Sequence, residues 1–206
     1  MTYTAPLADM RFALREVAGL SGVAALPGYE HATDDTIDAV LEEAGKLAGN
    51  GLAPLNREGD RVGARLENGV VRTAPGFAGI YKEFVEGGWN SLPFDPEFGG
   101  QGMPWLLATA VQEMWQAANM GFGLVLLLNQ GAIDAIHHHG SEEQKATYLP
   151  RMISGEWTGT MNLTEPQAGS DLGQLKSRAV KNGDHYLVTG QKIFITYGEH
   201  DFTDNI

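Results

Sequence analysis

Apolar side chains recur with the helical period through the middle of this chain and with the strand period towards its end. Ile37, Val40, Leu41, Ala44, Leu47 and Ala48 follow Thr33 at i, i+3, i+4 and i+7 spacings, which predicts a helix stopped by Asn50-Gly51. Phe77, Ile80, Tyr81, Phe84 and Val85 predict a second, set up by Thr73 and Pro75 and closed by Gly87-Gly88. After Pro104, the face made by Leu107, Ala110, Val111, Met114, Trp115 and Ala118 predicts a third, and a fourth crosses Leu124 to Ile136. Ser141 and Gln144 form a capping box that opens a fifth over residues 142–153, bounded by Pro150 and Gly155. Residues 51–73 read as a connection dense in Gly and charge, and the Pro- and Gly-rich run from Pro93 to Gly102 as a loop. Residues 1–30 are interrupted by Pro6, Gly19, Gly22, Pro27 and Gly28 and read as an extended arm, although Met10, Phe12, Leu14 and Val17 could line a short helix.

After Gly155 the period changes. Trp157 to Leu163 alternates, His185 to Val188 and Ile193 to Thr196 are β-rich, and Asn182-Gly183 is a hairpin turn signal. The expected fold class is α+β: an N-terminal arm (1–30), an all-helical domain (31–155) and the first strands of a β-barrel-like domain (156–206). About three strands with little chain left to pair their edges suggest a truncated β domain.

Composition narrows the function. With 26 Asp and Glu against 14 Lys and Arg the net charge is −12, which argues against nucleic acid and anionic lipid as partners. No cysteine is present, which removes disulfides, thiolate metal sites and a Cys nucleophile, and suits a reducing, cytoplasmic compartment. The N-terminus lacks a basic start followed by an apolar stretch, and the longest wholly apolar run is Leu124 to Leu128. Neither secretion nor membrane insertion is expected.

Few residues suggest chemistry on their own. His137, His138 and His139 are helical neighbours that point about 100° apart and cannot share an ion; a structural role is expected for all six histidines. No Gly-x-Ser-x-Gly elbow is present, and Gly99-Gly100-Gln101-Gly102 lacks the Lys-Ser/Thr ending of a phosphate loop. One segment differs: Leu163-Thr164-Glu165-Pro166-Gln167-Ala168-Gly169-Ser170-Asp171 leaves a strand and crowds Pro, Gly and hydroxyls into one turn. Such a turn is either an ordinary connection or a place where backbone N–H groups and the Thr164 and Ser170 hydroxyls hold a phosphate or a polar ring edge. About 25 residues on, Lys192-Ile193-Phe194-Ile195-Thr196-Tyr197-Gly198 would place Phe194 and Thr196 on one face of a strand.

Met161-Asn162-Leu163-Thr164-Glu165-Pro166 with Gly169-Ser170-Asp171, followed by Lys192-Ile193-Phe194-Ile195-Thr196, resembles the acyl-CoA dehydrogenase family. The Pro93 to Gly102 loop resembles the family's Pro-x-x-x-Gly-Gly-x-Gly signature, and Gly140 to Gly155 its Gly-Ser-Glu-Glu-Gln-Lys helix. The resemblance spans roughly residues 35–206. It implies an N-terminal helical domain, a β domain, and a C-terminal helical domain that is absent here. It also implies FAD, an acyl-CoA substrate in fatty acid metabolism, an electron-transferring flavoprotein as acceptor, and a homo-oligomer in the full-length protein. By position, Met161, Leu163 and Thr164 would border the flavin ring. Gly169 and Ser170 would approach the pyrophosphate, with Ser170 also near the thioester substrate, and Phe194, Ile195 and Thr196 would cover the dimethylbenzene side and N5. The catalytic base would lie in the missing domain, leaving Glu165 as part of the loop scaffold and the chain alone inactive. Departures are Gln167 where Gly is common, Phe194 for Trp and Tyr197 for Asn. The N-terminal segment and Pro54 to Arg61 resemble a longer branch, some of whose members take a sulfur-containing acyl chain. The rival readings are an oxidase-type flavoenzyme that passes electrons to oxygen, and a non-catalytic helical interaction module.

Overall fold

The computed structural model describes residues 3–205. Its N-terminal segment is helical where an extended arm is predicted: α1 (Leu7–Phe12) and α2 (Leu20–Ala24) flank a π-helical turn over Ala13–Val17. Met10 and Leu14, four residues apart, are buried while Phe12 and Val17 stay outside. The i, i+4 pair thus outweighs the breakers around it. Arg11 and Arg15 clamp this segment onto the next helix, reaching Asp38 at 2.8 and 3.1 Å.

That helix, α3 (Asp34–Lys46), is capped by the Thr33 hydroxyl, which accepts the Thr36 N–H at 3.3 Å. It does not stop at Asn50-Gly51. A π-helical turn over Leu47–Leu52 carries the chain into α4 (Ala53–Val62), just ahead of Pro54, which has no N–H for a regular ladder. Gly51 serves close packing here, since a Cβ would stand 2.6 Å from Ile80 Cδ1. The predicted connection over 51–73 therefore holds α4 and a hairpin, β1 (Arg65–Glu67) and β2 (Val70–Arg72), turned by Asn68 and Gly69 at positive φ.

α5 (Phe77–Glu86) ends at Gly87 as expected, but Gly76, not Thr73, caps its start. The Pro93 to Gly102 loop winds back on itself: a Cβ on Gly100 would fall 1.9 Å from the Phe94 carbonyl oxygen, so only glycine fits. α6 runs from Trp105 to His139 and breaks at Asn119 (φ −158°, ψ 85°), giving the two helices predicted from the pattern. Asn119 fills the break by donating to the Leu52 carbonyl and accepting the Phe122 N–H. By length and composition α6 is apolar enough to cross a bilayer. Leu107, Val111, Met114, Phe122, Val125 and Ile133 on it are buried within the protein. α7 (Glu142–Ser154) opens on the predicted capping box and ends at Gly155 in the left-handed region.

The core sits between α3, α5 and α6. Phe84 meets Trp115 and Phe122 edge-on, with ring centroids 4.8 and 6.3 Å apart. A buried amide network then fixes where the chain leaves the helices. Asn90 donates to the Met152 and Ile153 carbonyls at 2.8 and 2.9 Å, and Asn129 accepts the Gly159 N–H at 3.1 Å. Beyond it the strands are β3 (Trp157–Thr158), β4 (Arg178–Asn182), β5 (His185–Thr189) and β6 (Asp204–Asn205). β3 pairs in parallel with β6, and β4 with β5 around the predicted Asn182-Gly183 turn. The alternation over Trp157 to Leu163 yields a strand only at its first two residues.

Candidate functional site

The two segments singled out in the sequence lie side by side. The Ile193 N–H donates to the Thr164 carbonyl at 2.9 Å, and the Lys192 ammonium donates to the Leu163 carbonyl at 2.9 Å. At the other end the Thr160 hydroxyl donates to the Thr196 carbonyl at 2.7 Å.

Glu165 is the knot between them. It is 3% exposed and receives Lys192 Nζ at 2.9 Å, the Lys176 N–H at 2.8 Å, the Ser177 N–H at 3.0 Å and Gln167 Nε2 at 2.6 Å. Its own N–H and carbonyl pair with the carbonyl and N–H of Ala168, closing a tight turn over Pro166 and Gln167. The neighbouring Ser177 side chain, the Lys192 cation and these amides hold its carboxyl well below the usual carboxylate range. A carboxylate engaged by so many donors organises the loop and has no free edge with which to take a proton.

This scaffold sets the exposure of the predicted site residues. Met161 is 58% exposed, Phe194 is 84% exposed and Ile195 is also on the surface. Leu163, Thr164 and Thr196 are half-buried. Gly169 and Ser170 are exposed beyond the turn, and nothing stands within 4 Å of where a Gly169 Cβ would be. One expectation fails: residues 193–196 are not a strand. Phe194 and Tyr197 have φ of 55° and 52°, and the Thr196 and Gly198 N–H groups bond back to Phe194 and Ile195. Period-2 sharing of a face between Phe194 and Thr196 is therefore lost. No strand lies alongside to supply a ladder among the described residues, so local turns take those hydrogen bonds.

Sequence reasoning missed several residues that hold this region. The Tyr197 hydroxyl donates to the Gly121 carbonyl at 2.5 Å, just past the α6 break, and burial pushes its pKa up to about 12. A cavity of about 410 Å³ opens there, walled by Thr196, Tyr197, Asn119, Phe77 and Asp60. His200 is buried; its Nδ1 accepts the Phe202 N–H at 3.2 Å, so Nε2 carries the proton towards Thr158 Oγ1 at 2.7 Å. Burial lowers its pKa, which keeps the ring neutral. Asp201 accepts both the N–H and hydroxyl of Thr73, at 3.2 and 2.6 Å, which is where the expected helix start is used instead. Lys192 and Tyr197 stood inside the quoted segment and were the available signals, and the structural role expected of His200 is the one it takes; Asp201 carried none. Among the described residues no group of three or more His, Cys, Asp or Glu side chains is arranged to hold a metal ion.

The profile of the acyl-CoA dehydrogenase N-terminal domain matches residues 34–156, and the chain belongs to that family. It is 48% identical over its whole length to 3-methylmercaptopropionyl-CoA dehydrogenase of Ruegeria pomeroyi, of which it covers 35%. Its fold matches butyryl-CoA dehydrogenase from Megasphaera elsdenii with a TM-score of 0.67 and 25% identity, over 81% of this chain and 42% of that one. Glutaryl-CoA dehydrogenase from Mycobacterium smegmatis in complex with FADH2 shares the fold at a TM-score of 0.66 and 21% identity, over 81% and 40% of the two chains. The chain thus spans about a third of the length of the curated relatives it matches.

Proposed function

We propose that this chain is the N-terminal portion of an FAD-dependent acyl-CoA dehydrogenase, which desaturates an acyl-CoA thioester between its α and β carbons. The observation that carries the reading is the joining of the two motif segments by the Ile193–Thr164 and Lys192–Leu163 hydrogen bonds. That joining leaves Met161, Phe194 and Ile195 outside and the Gly169 backbone open to approach. An apolar platform beside an open, hydroxyl-bearing turn fits a flavin dinucleotide, whose ring is aromatic and whose pyrophosphate is anionic.

Met161, Leu163 and Thr164 would border the ring, with the Thr164 hydroxyl at its pyrimidine edge. Gly169 and Ser170 would approach the pyrophosphate, and Ser170 the thioester substrate as well. Phe194, Ile195 and Thr196 would cover the dimethylbenzene side and N5. When bound, FAD supplies the hydride acceptor. Glu165 is engaged by its scaffold donors and is not available as the base, so the α-proton would go to another carboxylate. The similarity to the Ruegeria protein makes 3-methylmercaptopropionyl-CoA the first substrate to try; by the family likeness, an electron-transferring flavoprotein would be the acceptor. The acidic, cysteine-free composition supports a cytoplasmic setting.

The test is the visible spectrum of the natural gene product that contains this sequence. Stoichiometric flavin absorbance that bleaches without oxygen when acyl-CoA is added is the expected result, and a flavin-free product would overturn the reading. The 206-residue chain alone is expected to be inactive and to retain no flavin through a desalting column.

A further inference from the structure

A second cavity, of about 380 Å³, lies apart from the motif segments, with no residue beyond Ile153 in its walls. The loop before α6, the start and second half of α6, the segment after α2, and α7 through Leu149 and Ile153 enclose it. Three aromatic side chains line it, Tyr29, Phe94 and Trp105. Phe94 is buried and stands edge-on to Trp105 at 5.9 Å, while Trp105 remains 38% exposed at the opening. Two carboxylates, Asp95 and Asp134, share the walls, and no Lys or Arg does among the described residues. Asp134 is half-buried, and burial raises its pKa, with only His137 and His138 opposing the shift. His137 Nε2 sits 3.5 Å from Asp95 Oδ2 at the rim.

Aromatic faces and carboxylates both attract positive charge, and both repel an anion. Beside the His137 and His138 imidazoles, the first of them paired with Asp95, the rest of the lining, Pro27, Pro93, Pro96 and Ile133 among it, is apolar and offers little to a strongly hydrated ammonium. A cation that wraps its charge in methyl groups satisfies both requirements, which is how aromatic cages select such ligands. We propose that this cavity binds a small quaternary-ammonium headgroup, with Trp105 and Phe94 supplying the aromatic wall and Asp134 the counter-charge.

Isothermal titration of the intact chain with choline, and with its neutral isostere in which carbon replaces the nitrogen, tests this. Choline is expected to bind saturably, at least about tenfold more tightly than the isostere, since only the charge differs between them. Trp105→Leu and Asp134→Asn are each expected to weaken choline by roughly three- to tenfold while leaving the isostere nearly unchanged. Circular dichroism checks that both variants fold, and Asp134→Asn alone decides the matter if Trp105→Leu does not. Equal affinity for the two ligands, no saturable choline binding, or variants that bind choline like the parent would each overturn the proposal.

Discussion

Phe84, Leu107, Met114 and Phe122 in the helical unit are fully buried, whereas every residue of the β4–β5 hairpin is exposed, Val188 to 77%. The same kinds of side chain thus behave in opposite ways on either side of Gly155. Before it, the helical apolar pattern encodes a core that closes on itself. After it, the strand pattern encodes apolar surface on a two-stranded ribbon, which is marginal in water by itself. What separates the two regions is the availability of a second layer, not hydrophobicity. Around Glu165 and His200 the later region gains order, from buried polar contacts at Glu165 and, beside His200, from Phe202, which stacks on Tyr81 of the helical core with ring centroids 5.2 Å apart.

Core truncation breaks this comparison most strongly. Phe84→Ala or Phe122→Ala is expected to cost about 3–5 kcal/mol, whereas Leu187→Ala in the hairpin should stay within roughly 0.5 kcal/mol. Urea denaturation of the three variants reads the contrast directly. Next comes the amide network at the boundary. Asn90→Ala removes the side-chain donor that the Met152 and Ile153 carbonyls share, leaving Met152 with Asn129 and the Gly155 N–H, and should cost on the order of 1–3 kcal/mol, seen as a lower denaturation midpoint.

The contacts of the later region respond to pH. Because burial lowers the His200 pKa below its ordinary 6.5, the folded chain binds this proton less readily than the unfolded one. Stability from His200 is therefore fully present above that ordinary value and is lost as pH falls through the folded pKa. His200→Gln should flatten the fall in denaturation midpoint between about pH 7 and pH 5. The smallest effect belongs to the helix cap: Ser141→Ala should lower stability by about 1 kcal/mol, and Ser141→Asp should restore it.

Where pattern and partner coincide, the sequence was enough to read the structure. The α5 stripe, the two halves of α6, the Ser141–Gln144 capping box and the Asn182-Gly183 turn all rest on interactions within one or two turns of chain. Long-range demands defeated the rest. Gly51 looked like a helix stop and is a close-packing position against Ile80. Thr73 looked like a helix start and serves Asp201, 128 residues away. Asn68-Gly69 carried the same hairpin signal as Asn182-Gly183 and was passed over amid charged neighbours. The Phe194 to Thr196 run has strand composition, but a strand needs a ladder partner, and none is present among the described residues. The pairing of the two motif segments was legible only as a likeness to a family, because the Glu165–Lys192 contact that fixes it spans 27 residues.

Amide hydrogen exchange on the natural product, compared with and without its flavin, tests the central claim most directly. The account predicts strong protection throughout α6 and α7 in both states, and new protection on flavin loading confined to residues 161–171 and 192–197. Unchanged exchange in those two segments, with protection arising elsewhere, would contradict it.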